Sequence, residues 1–368
     1  MRAIVYDRFG TAPEVREVEA PIAPDGGVVI RVAASGLCRS DWHAWAGHDD
    51  TVHLPHVPGH EFVGTIEQVG AGVTSWSVGD RVTSPFVCGC GVCEWCLGGN
   101  AQVCPNQTQP GFTGWGSHAE LVAIHAADTN LVAVPDTISD DAAASLGCRF
   151  ATAFRAVRAR ADVQPGEWVA VFGAGGVGLS AVMIASALGA RVVAIDRNPD
   201  ALTLARSVGA EATVVVPSSS PEAPSGSVIP SPSANGVPGV AASVVDQVIS
   251  ITDGGAHVAL DAVGSASTST DALLSLRRRG RHVQIGLLSA DELPRLPLDR
   301  VIGWELDLLG SHGMAARDYA AMLALVADGT LRPQDLVGGA VTLAEGATLL
   351  PLTATAPPTG ITVIHPAE

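Results

Sequence analysis

Lysine is absent from this sequence. All 21 basic residues are arginine, which excludes Schiff-base chemistry and a lysine general base. Basic charge is also scarce relative to acidic charge, because 37 Asp and Glu residues give a formal net charge of −16. A surface of that sign repels a phosphate backbone or an anionic membrane. We therefore expect neither nucleic acid nor a membrane surface among the partners of this protein.

Long apolar runs are absent too. No stretch of 18 or more apolar residues occurs, and Met1 leads into the strand-like segment AIVY, not into a charged segment followed by an apolar one. The seven cysteines are an odd number packed at metal-binding spacing, which suits a reducing compartment. We predict a soluble, cytoplasmic protein, and 368 residues are enough for two domains.

Four cysteines of the loop CGCGVCEWCLGGNAQVC have the spacing of a closed zinc site. Four thiolates can complete a tetrahedral site, which then has no position for substrate. We expect this zinc to stabilise a loop that has little apolar content of its own. An iron–sulfur cluster or a nucleic-acid-binding zinc ribbon is the alternative, which the acidic net charge disfavours. The four ligands are Cys90, Cys93, Cys96 and Cys104, whereas Cys88 does not fit the spacing and is interpreted as a spare thiol.

A second group of metal-ligand residues lies within residues 36–64, where Cys38 supplies a thiol and His60 an imidazole. A catalytic zinc takes three protein ligands and keeps a fourth position for water or substrate. Cys148 is the remaining candidate for the third ligand once the four-cysteine loop is set aside. Each residue taken singly would more often be a buried structural thiol or a hydrogen-bonded core histidine, but the polar neighbours favour a catalytic metal centre. These neighbours are Asp41, His43 and Glu61.

The segment WVAVFGAGGVGLSAVMIASALGARVVAID predicts a dinucleotide-binding loop. Gly173, Gly175 and Gly178 follow an apolar strand and open a helix, and the next strand ends in an acidic residue. Glycines at these positions let backbone amides approach a pyrophosphate at the helix N-terminus. The acidic residue is Asp196, 18 residues after Gly178, and it would accept hydrogen bonds from the ribose, which favours NAD over NADP. The adjacent Arg197 weakens that preference, because an arginine there can bind the additional phosphate of NADP.

The pattern of predicted elements changes along the chain. Residues 1–35 alternate apolar and polar positions, which predicts antiparallel strands, and repeated glycines from Gly59 onward predict a compact β domain. An Ala-rich helical stretch after Ser139 leads to the turn QPGE, where we place a domain boundary. Strand-like and helical segments then alternate, which predicts a doubly wound parallel sheet. Residues 217–243 are rich in Pro, Ser and Gly and predict a mobile surface insertion, while the tail ITVIHP predicts a closing strand.

In this order the motifs resemble those of the zinc-dependent medium-chain alcohol dehydrogenase family, over nearly the whole chain outside 217–243. The matching segments are GLCRSDWH, GHEFVGTIEQVGAGVTSWSVGDRV, the four-cysteine loop, GCRFATAF and GAGGVG with Asp196. The resemblance implies an α/β protein. A GroES-like β catalytic domain with the structural zinc loop would span 1–150, and a Rossmann NAD-binding domain with the insertion would span 151–288. Residues 289–368 would return to the catalytic domain, with the active site in the cleft between the domains.

The resemblance also implies roles for single residues at the metal. The catalytic zinc would be held by Cys38, His60 and Cys148. Glu61 would be an occasional further ligand. Asp41 would hydrogen-bond the nitrogen of His60 that the metal does not use, and so fix the orientation of the ring.

A proton path and coenzyme contacts follow from the same resemblance. Ser40 would take the proton of the substrate alcohol, and His43 would release it to solvent after it passes the nicotinamide ribose. Arg39 would contact the pyrophosphate of NAD. The other expected coenzyme-binding positions are Thr152, Gly173, Gly175, Gly176, Val177, Gly178, Asp196, Arg197 and the strand end at 285–287. Looser matches make Phe86, Trp115 and His118 pocket-lining positions.

The implied activity is reversible hydride transfer between a primary or secondary alcohol and NAD, giving an aldehyde or ketone. The cofactors would be NAD, one catalytic zinc and one structural zinc per chain, in a homodimer or homotetramer. A polyol, threonine or glutathione-adduct dehydrogenase shares these motifs and stays open within the class. A non-catalytic zinc- and nucleotide-binding protein is the alternative from another class. Ser40 and His43 disfavour it, because binding alone needs no proton relay.

Overall fold

The computed structural model describes residues 1–217, 242–288, 293–355 and 358–367, so nearly all of the predicted insertion at 217–243 lies outside the described residues. None of the described helices combines the length and apolar composition that a membrane crossing requires. The strands are β1 (Arg2–Val5), β2 (Glu14–Glu17), β3 (Val28–Leu37), β4 (Phe62–Val69), β5 (Arg81–Thr83), β6 (Leu121–Ile124), β7 (Val132–Ala133), β8 (Trp168–Phe172), β9 (Arg191–Asp196), β10 (Ala212–Val215), β11 (Ala256–Asp261), β12 (Leu276–Gln284), β13 (Asp307–Gly310), β14 (Val337–Thr342) and β15 (Ile361–His365). The α-helices are α1 (Arg39–Trp45), α2 (Glu94–Leu97), α3 (Ala127–Asn130), α4 (Asp140–Ala144), α5 (Ala151–Arg155), α6 (Gly176–Ala187), α7 (Pro199–Ser207), α8 (Val244–Ile251), α9 (Ala266–Leu274), α10 (Leu298–Trp304), α11 (Tyr319–Ala327) and α12 (Leu343–Leu349).

Six strands form a parallel sheet in the order β10-β9-β8-β11-β12-β13. The central strand β8 is buried along its whole length, as expected for a strand that helices cover on both faces. The chain runs outward from β8 to β10 and then returns to β11 on the other side of β8. In a sheet of this doubly wound order, ligands bind outside the carboxyl ends of the central strands. The predicted Rossmann architecture is confirmed, and its sheet continues beyond residue 288 to Gly310 at the end of β13.

The ten-residue strand β3 is the centre of the other large sheet, whose order is β14-β15-β3-β4-β5-β7. Strand β6 also pairs with β3. The C-terminal strand β15 runs antiparallel to the end of β3, with Thr362 opposite Leu37 and Ile364 opposite Ser35. The tail of the chain therefore lies beside the segment that leads into Cys38.

One helical stretch packs against both sheets. It begins with α4, where Ser139 Oγ accepts a hydrogen bond from Ala142 N, and α4 contacts β3 and β4. A wide π turn at Leu146–Phe150 connects it to α5, which contacts α6 of the parallel-sheet unit. A π turn adds a residue to the helix, is often found at functional sites, and here carries Cys148.

The packing of the returning strand β15 can be tested directly. Ile364 is fully buried in a cluster with Ile4, Leu37 and Leu350. We expect Ile364→Ala to lower the free energy of unfolding by about 2–5 kcal/mol, because apolar contacts are lost and a cavity remains. The matched substitution Ile22→Ala, at a side chain that is 81% exposed, should change it by no more than about 0.5 kcal/mol. Urea unfolding measures both, and equal effects would contradict the buried position of β15.

Candidate active site

Three of the predicted zinc ligands converge in the structure. One ligand atom each from Cys38, His60 and Cys148 lies within 4.8 Å of the others. Cys38 follows β3 and caps α1, His60 lies just before β4, and Cys148 comes from the π turn. All three are buried, and His60 Nε2 has no hydrogen-bond partner among the described residues. Two sulfurs and an imidazole nitrogen at this separation are a donor set that fits zinc.

The carboxylate of Asp41 connects the two segments that carry Cys38 and His60. Its Oδ1 lies 2.8 Å from His60 Nδ1 and accepts a hydrogen bond from Gly59 N at 3.1 Å, while its Oδ2 accepts one from Cys38 N at 2.8 Å. Burial alone would raise the pKa of Asp41, but the charges of His60 and His118 outweigh it and hold that pKa well below its usual range. With Nδ1 bound to a carboxylate, Nε2 is the ring nitrogen that remains for a metal.

A second histidine packs behind Asp41. His118 is fully buried, with Nδ1 2.9 Å from Ser35 Oγ and Nε2 3.5 Å from Asp41 Oδ2. The sequence suggested a pocket-lining position for His118, whereas the structure makes it a partner of the carboxylate that orients His60. Trp115, the other predicted pocket-lining residue of this loop, is 38% exposed and donates a hydrogen bond to Pro55 O at 3.1 Å.

Aromatic rings surround the imidazole of His60. The Phe86 ring lies edge-on at a centroid distance of 6.1 Å, and the Phe112 ring lies at 5.2 Å. Phe86 also contacts His312, at 5.3 Å between ring centroids. His312 lines a cavity of about 650 Å³ between the four-cysteine loop and the ends of β12 and β13, and residues 285–287 line it as well. A cavity of this size can admit a small organic molecule.

The ligand thiols hold their protons unequally. A hydrogen bond with Cys148 holds the pKa of the Cys38 thiol well below its ordinary value, while the same contact together with burial raises the pKa of Cys148 well above it. Burial would lower the pKa of His60, but the Asp41 carboxylate outweighs this and raises it. The protonation states of Cys38, Cys148 and His60 therefore depend on one another, and binding of a divalent cation would displace protons from these groups.

Glu61 is held by Arg149 and is not part of the three-ligand cluster. Its Oε1 accepts a hydrogen bond from Arg149 N at 2.7 Å, and its Oε2 forms an ion pair with the guanidinium of Arg149. Both side chains are buried, Glu61 completely. Each carboxylate oxygen of Glu61 therefore already has a partner. The sequence analysis did not identify Arg149 as a residue of the site. The available signal was that an acidic residue directly follows the ligand His60 and an arginine directly follows the ligand Cys148, so the two could form an ion pair.

The four cysteines of the loop also come together. Sulfurs of Cys90, Cys93, Cys96 and Cys104 lie within 4.8 Å of one another. The backbone amides of Cys90 and Asn106 both donate to Cys104 Sγ, at 3.4 and 3.3 Å, and hydrogen bonds from the amides of Val92 and Cys93 lower the pKa of the Cys90 thiol to about 6. Cys88 lies outside this cluster, is buried, and has its pKa raised to about 12 by desolvation.

The glycine loop connects β8 to α6 as the sequence predicts. Gly173 has a φ of +94°, a conformation that favours glycine, and a Cβ on Gly178 would lie 1.7 Å from the Gly173 carbonyl oxygen. Asp196 at the end of β9 accepts hydrogen bonds from Ala174 N at 2.6 Å and Asn198 N at 2.8 Å, so its carboxylate lies against this loop. The remaining predicted positions here are Gly175, Gly176 and Val177, at the start of α6, and Arg197, which is exposed beside Asp196.

The predicted relay and coenzyme residues on the metal side lie on two helices. Cys38 Sγ lies 3.8 Å from Ser40 Oγ, which places Ser40 beside the ligand cluster. His43 is exposed on α1, and its Nδ1 lies 3.1 Å from Nδ1 of His48. Arg39 is exposed at the first position of α1, and Thr152 is buried in α5, one helical turn after Cys148.

Comparison with known proteins identifies the family. The model for the alcohol dehydrogenase GroES-like domain matches residues 24–136, and the model for zinc-binding dehydrogenases matches residues 176–328. An alcohol dehydrogenase from Geobacillus stearothermophilus is 34% identical over 336 residues, which cover 90% of this chain and 90% of the relative. The chain belongs to the zinc-dependent medium-chain alcohol dehydrogenase family.

Solved structures of this family share the whole fold. The alcohol dehydrogenase TADH from Thermus sp. ATN1 aligns with a TM-score of 0.84 at 31% identity and covers 99% of both chains. A structure described as an NAD-dependent alcohol dehydrogenase aligns with a TM-score of 0.84 at 28% identity over 100% of both chains. The expected combination of a GroES-like β domain with a Rossmann domain is confirmed, and the protein is an oxidoreductase of this family.

The bond between Asp41 and His60 yields a prediction for metal affinity. In Asp41→Asn an NH2 group, which can only donate, replaces one of the two carboxylate oxygens. The one remaining oxygen cannot accept from both Cys38 N and His60 Nδ1, so one of these two contacts is lost. We expect zinc affinity at the Cys38 cluster to fall about 10–100-fold. Zinc release to a chelator at constant pH measures this effect. The control is Asp50→Asn, at an exposed carboxylate of the same segment, and equal release from the two variants would contradict the orienting role.

Proposed function

We propose that this protein is a zinc- and NAD-dependent alcohol dehydrogenase that transfers hydride reversibly between a primary or secondary alcohol and NAD. The observation that carries the proposal is the cluster of Cys38, His60 and Cys148, in which His60 Nε2 is buried without a partner in the described part of the chain. Three protein ligands leave a coordination position for substrate, whereas the four-cysteine loop leaves none. Glu61 would not fill that position, because its oxygens are bonded to Arg149.

The Cys38 cluster would hold the catalytic zinc. Zinc, when bound, supplies Lewis acidity that makes the hydroxyl of a substrate alcohol more acidic. Asp41 would keep the His60 ring in the orientation that presents Nε2. Phe86 and Phe112 would limit water around that ring, and a drier site strengthens the electrostatic interactions within it.

Two residues of α1 would move the proton. Ser40, beside Cys38, would accept the proton of the substrate hydroxyl. His43 lies three residues further along the helix, on the same face. Desolvation and the charges of Arg39 and His48 lower the pKa of His43 below its ordinary value, so the ring is neutral near pH 7 and can accept a proton before releasing it to solvent.

The glycine loop and Asp196 would hold the coenzyme. NAD, when bound, accepts the hydride. The first-turn amides of α6 suit a pyrophosphate, and the carboxylate of Asp196 supports NAD because it would accept from a ribose hydroxyl and repel a phosphate there. Arg39 would contact the pyrophosphate, and Thr152 and residues 285–287 would lie near the nicotinamide.

The stoichiometry would be one catalytic and one structural zinc per chain, with the structural zinc bound by the four-cysteine loop. A homodimer or homotetramer is supported by apolar side chains on an edge of the parallel sheet, since Leu298 and Ile302 of α10 and Leu308 of β13 are exposed.

All seven cysteines are free thiols, which supports a reducing, cytoplasmic setting. The substrate would be a small alcohol or aldehyde, and the charge of −16 supports the absence of nucleic acid and membrane partners.

A substitution in the catalytic cluster tests the proposed activity. We expect Cys38→Ser to abolish turnover and remove one of two zinc ions, because a hydroxyl is a poor replacement for a thiolate ligand. NADH binding should persist, since the glycine loop is unchanged. NADH formation across aliphatic, aromatic and polyhydroxy alcohols, zinc analysis and an NADH titration provide the three measurements. Cys88→Ser, at a buried thiol outside both clusters, should keep both zinc ions and turnover. Normal turnover by Cys38→Ser would rule the proposal out.

A substitution in the other cluster tests the structural zinc. We expect Cys93→Ser to lower the free energy of unfolding by about 2 kcal/mol or more and to remove the other zinc ion, because the metal stabilises the fold of its loop. The turnover of the remaining folded enzyme should change little. Thermal unfolding, zinc content and kcat per folded chain are measured on one preparation. Unchanged thermal stability with activity lost would contradict the structural assignment.

A further inference from the structure

The guanidinium of Arg149 is buried and has one donor without an acceptor. Arg149 is 6% exposed and follows Cys148 directly in the chain. One terminal nitrogen pairs with Glu61 Oε2, and the other donates to Leu37 O at 3.0 Å. The Nε has no hydrogen-bond partner in the described part of the chain. A buried charged donor without a partner is costly, so this nitrogen points to a ligand.

The unpaired side of Arg149 lies against the glycine loop. A Cβ built on Gly176 would lie 2.4 Å from Arg149 Cδ and 3.4 Å from Arg149 Nε. Gly176 is the first residue of α6, a helix of 12 residues. Any side chain at Gly176 would collide with the arginine, so this glycine allows the arginine to approach the helix N-terminus.

The N-terminus of α6 has donors but no side-chain cap. Its N-cap, Gly175, provides no side-chain hydrogen bond, and the amides of the first turn carry the positive end of the helix dipole. A buried cation beside that positive end is unfavourable unless an anion lies between them. Glu61 neutralises the charge of Arg149 on one side, and on the other side Cδ and Nε pack against Gly176, the first residue of α6. This geometry suits a phosphate oxygen.

We propose that Arg149 binds the coenzyme, by donating from Nε to a pyrophosphate oxygen at the start of α6. The proposal rests on the proposed NAD dependence. Its other nitrogens would at the same time hold Glu61, next to His60, and the carbonyl of Leu37, next to Cys38. One side chain therefore connects the coenzyme phosphate to all three segments that carry the metal ligands. Bound coenzyme should strengthen zinc retention, and zinc should strengthen coenzyme binding by the same factor.

The alternative is that Arg149 only neutralises Glu61. The two roles separate in a Glu61→Gln background, where the arginine no longer has a buried carboxylate to pair with. Loss of the arginine in that background leaves no unpaired buried carboxylate behind, which avoids the main cause of misfolding. The variants are Glu61→Gln, Glu61→Gln with Arg149→Met, and Arg158→Met as control, an exposed arginine of the same helical stretch.

The experiment measures dissociation constants of the zinc-loaded variants by calorimetry with two probes. ADP-ribose contains the pyrophosphate, whereas adenosine lacks it. Relative to Glu61→Gln, the double variant should bind ADP-ribose about 10–100-fold more weakly, the usual effect of removing a hydrogen bond to a charged group, and adenosine with unchanged affinity. Arg158→Met should bind both probes as the unmodified protein does. If the double variant does not fold, Arg149→Lys replaces it, because lysine keeps the charge beside Glu61 but has no Nε donor at that position.

Two outcomes would overturn the inference: an unchanged affinity of the double variant for ADP-ribose, or an equal loss for ADP-ribose and adenosine. A readout that does not depend on coenzyme affinity is the rate of zinc release to a chelator with and without ADP-ribose. We expect ADP-ribose to slow release from Glu61→Gln but not from the double variant. If the unmodified protein binds neither NADH nor ADP-ribose, the proposed NAD dependence itself is wrong. The inference about Arg149 then fails as well, because it rests on that proposal.

Discussion

The carboxylate of Asp41 is the interaction on which the catalytic arrangement depends. It is completely buried, and it contacts a backbone amide of the Cys38 segment, a backbone amide of the His60 segment and the ring of His60 itself. A buried carboxylate is expensive unless such partners surround it, so the loops must approach each other closely in the folded state. The Asp41 carboxylate, which is not one of the three metal ligands, therefore fixes the distance between the sulfur of Cys38 and the imidazole of His60.

A second carboxylate does the same for the third ligand. Glu61, next to His60, accepts from the backbone and side chain of Arg149, next to Cys148. The contact between Glu61 and Arg149 thus joins the segment of His60 to that of Cys148, although the two residues are 88 positions apart in the chain. The two carboxylates thus connect the three segments that carry the ligand atoms, and contacts of this kind orient the ligands of a metal site.

The sequence predicted the residue types at the site better than their contacts. The spacing of the four cysteines, the glycine loop with Asp196, and the alternation of strands and helices are local patterns, and each has a counterpart in the structure. The partners of Glu61 and the position of His118 behind Asp41 depend on which distant segments meet, and no local pattern encodes that. The π turn that carries Cys148 could not be predicted either, because the stretch around it has the composition of an ordinary Ala-rich helix.

One short helical segment contacts both the metal ligands and the glycine loop. Successive residues of a helix point in different directions, so Cys148 and Arg149 face different neighbours. Cys148 faces Cys38 and His60, while Arg149 reaches Glu61 and the backbone of Gly176. The helical stretch contacts β3 at one end and α6 at the other, so it also fixes the separation of the two sites. A shift of this stretch would therefore displace a metal ligand and the residue beside the glycine loop together.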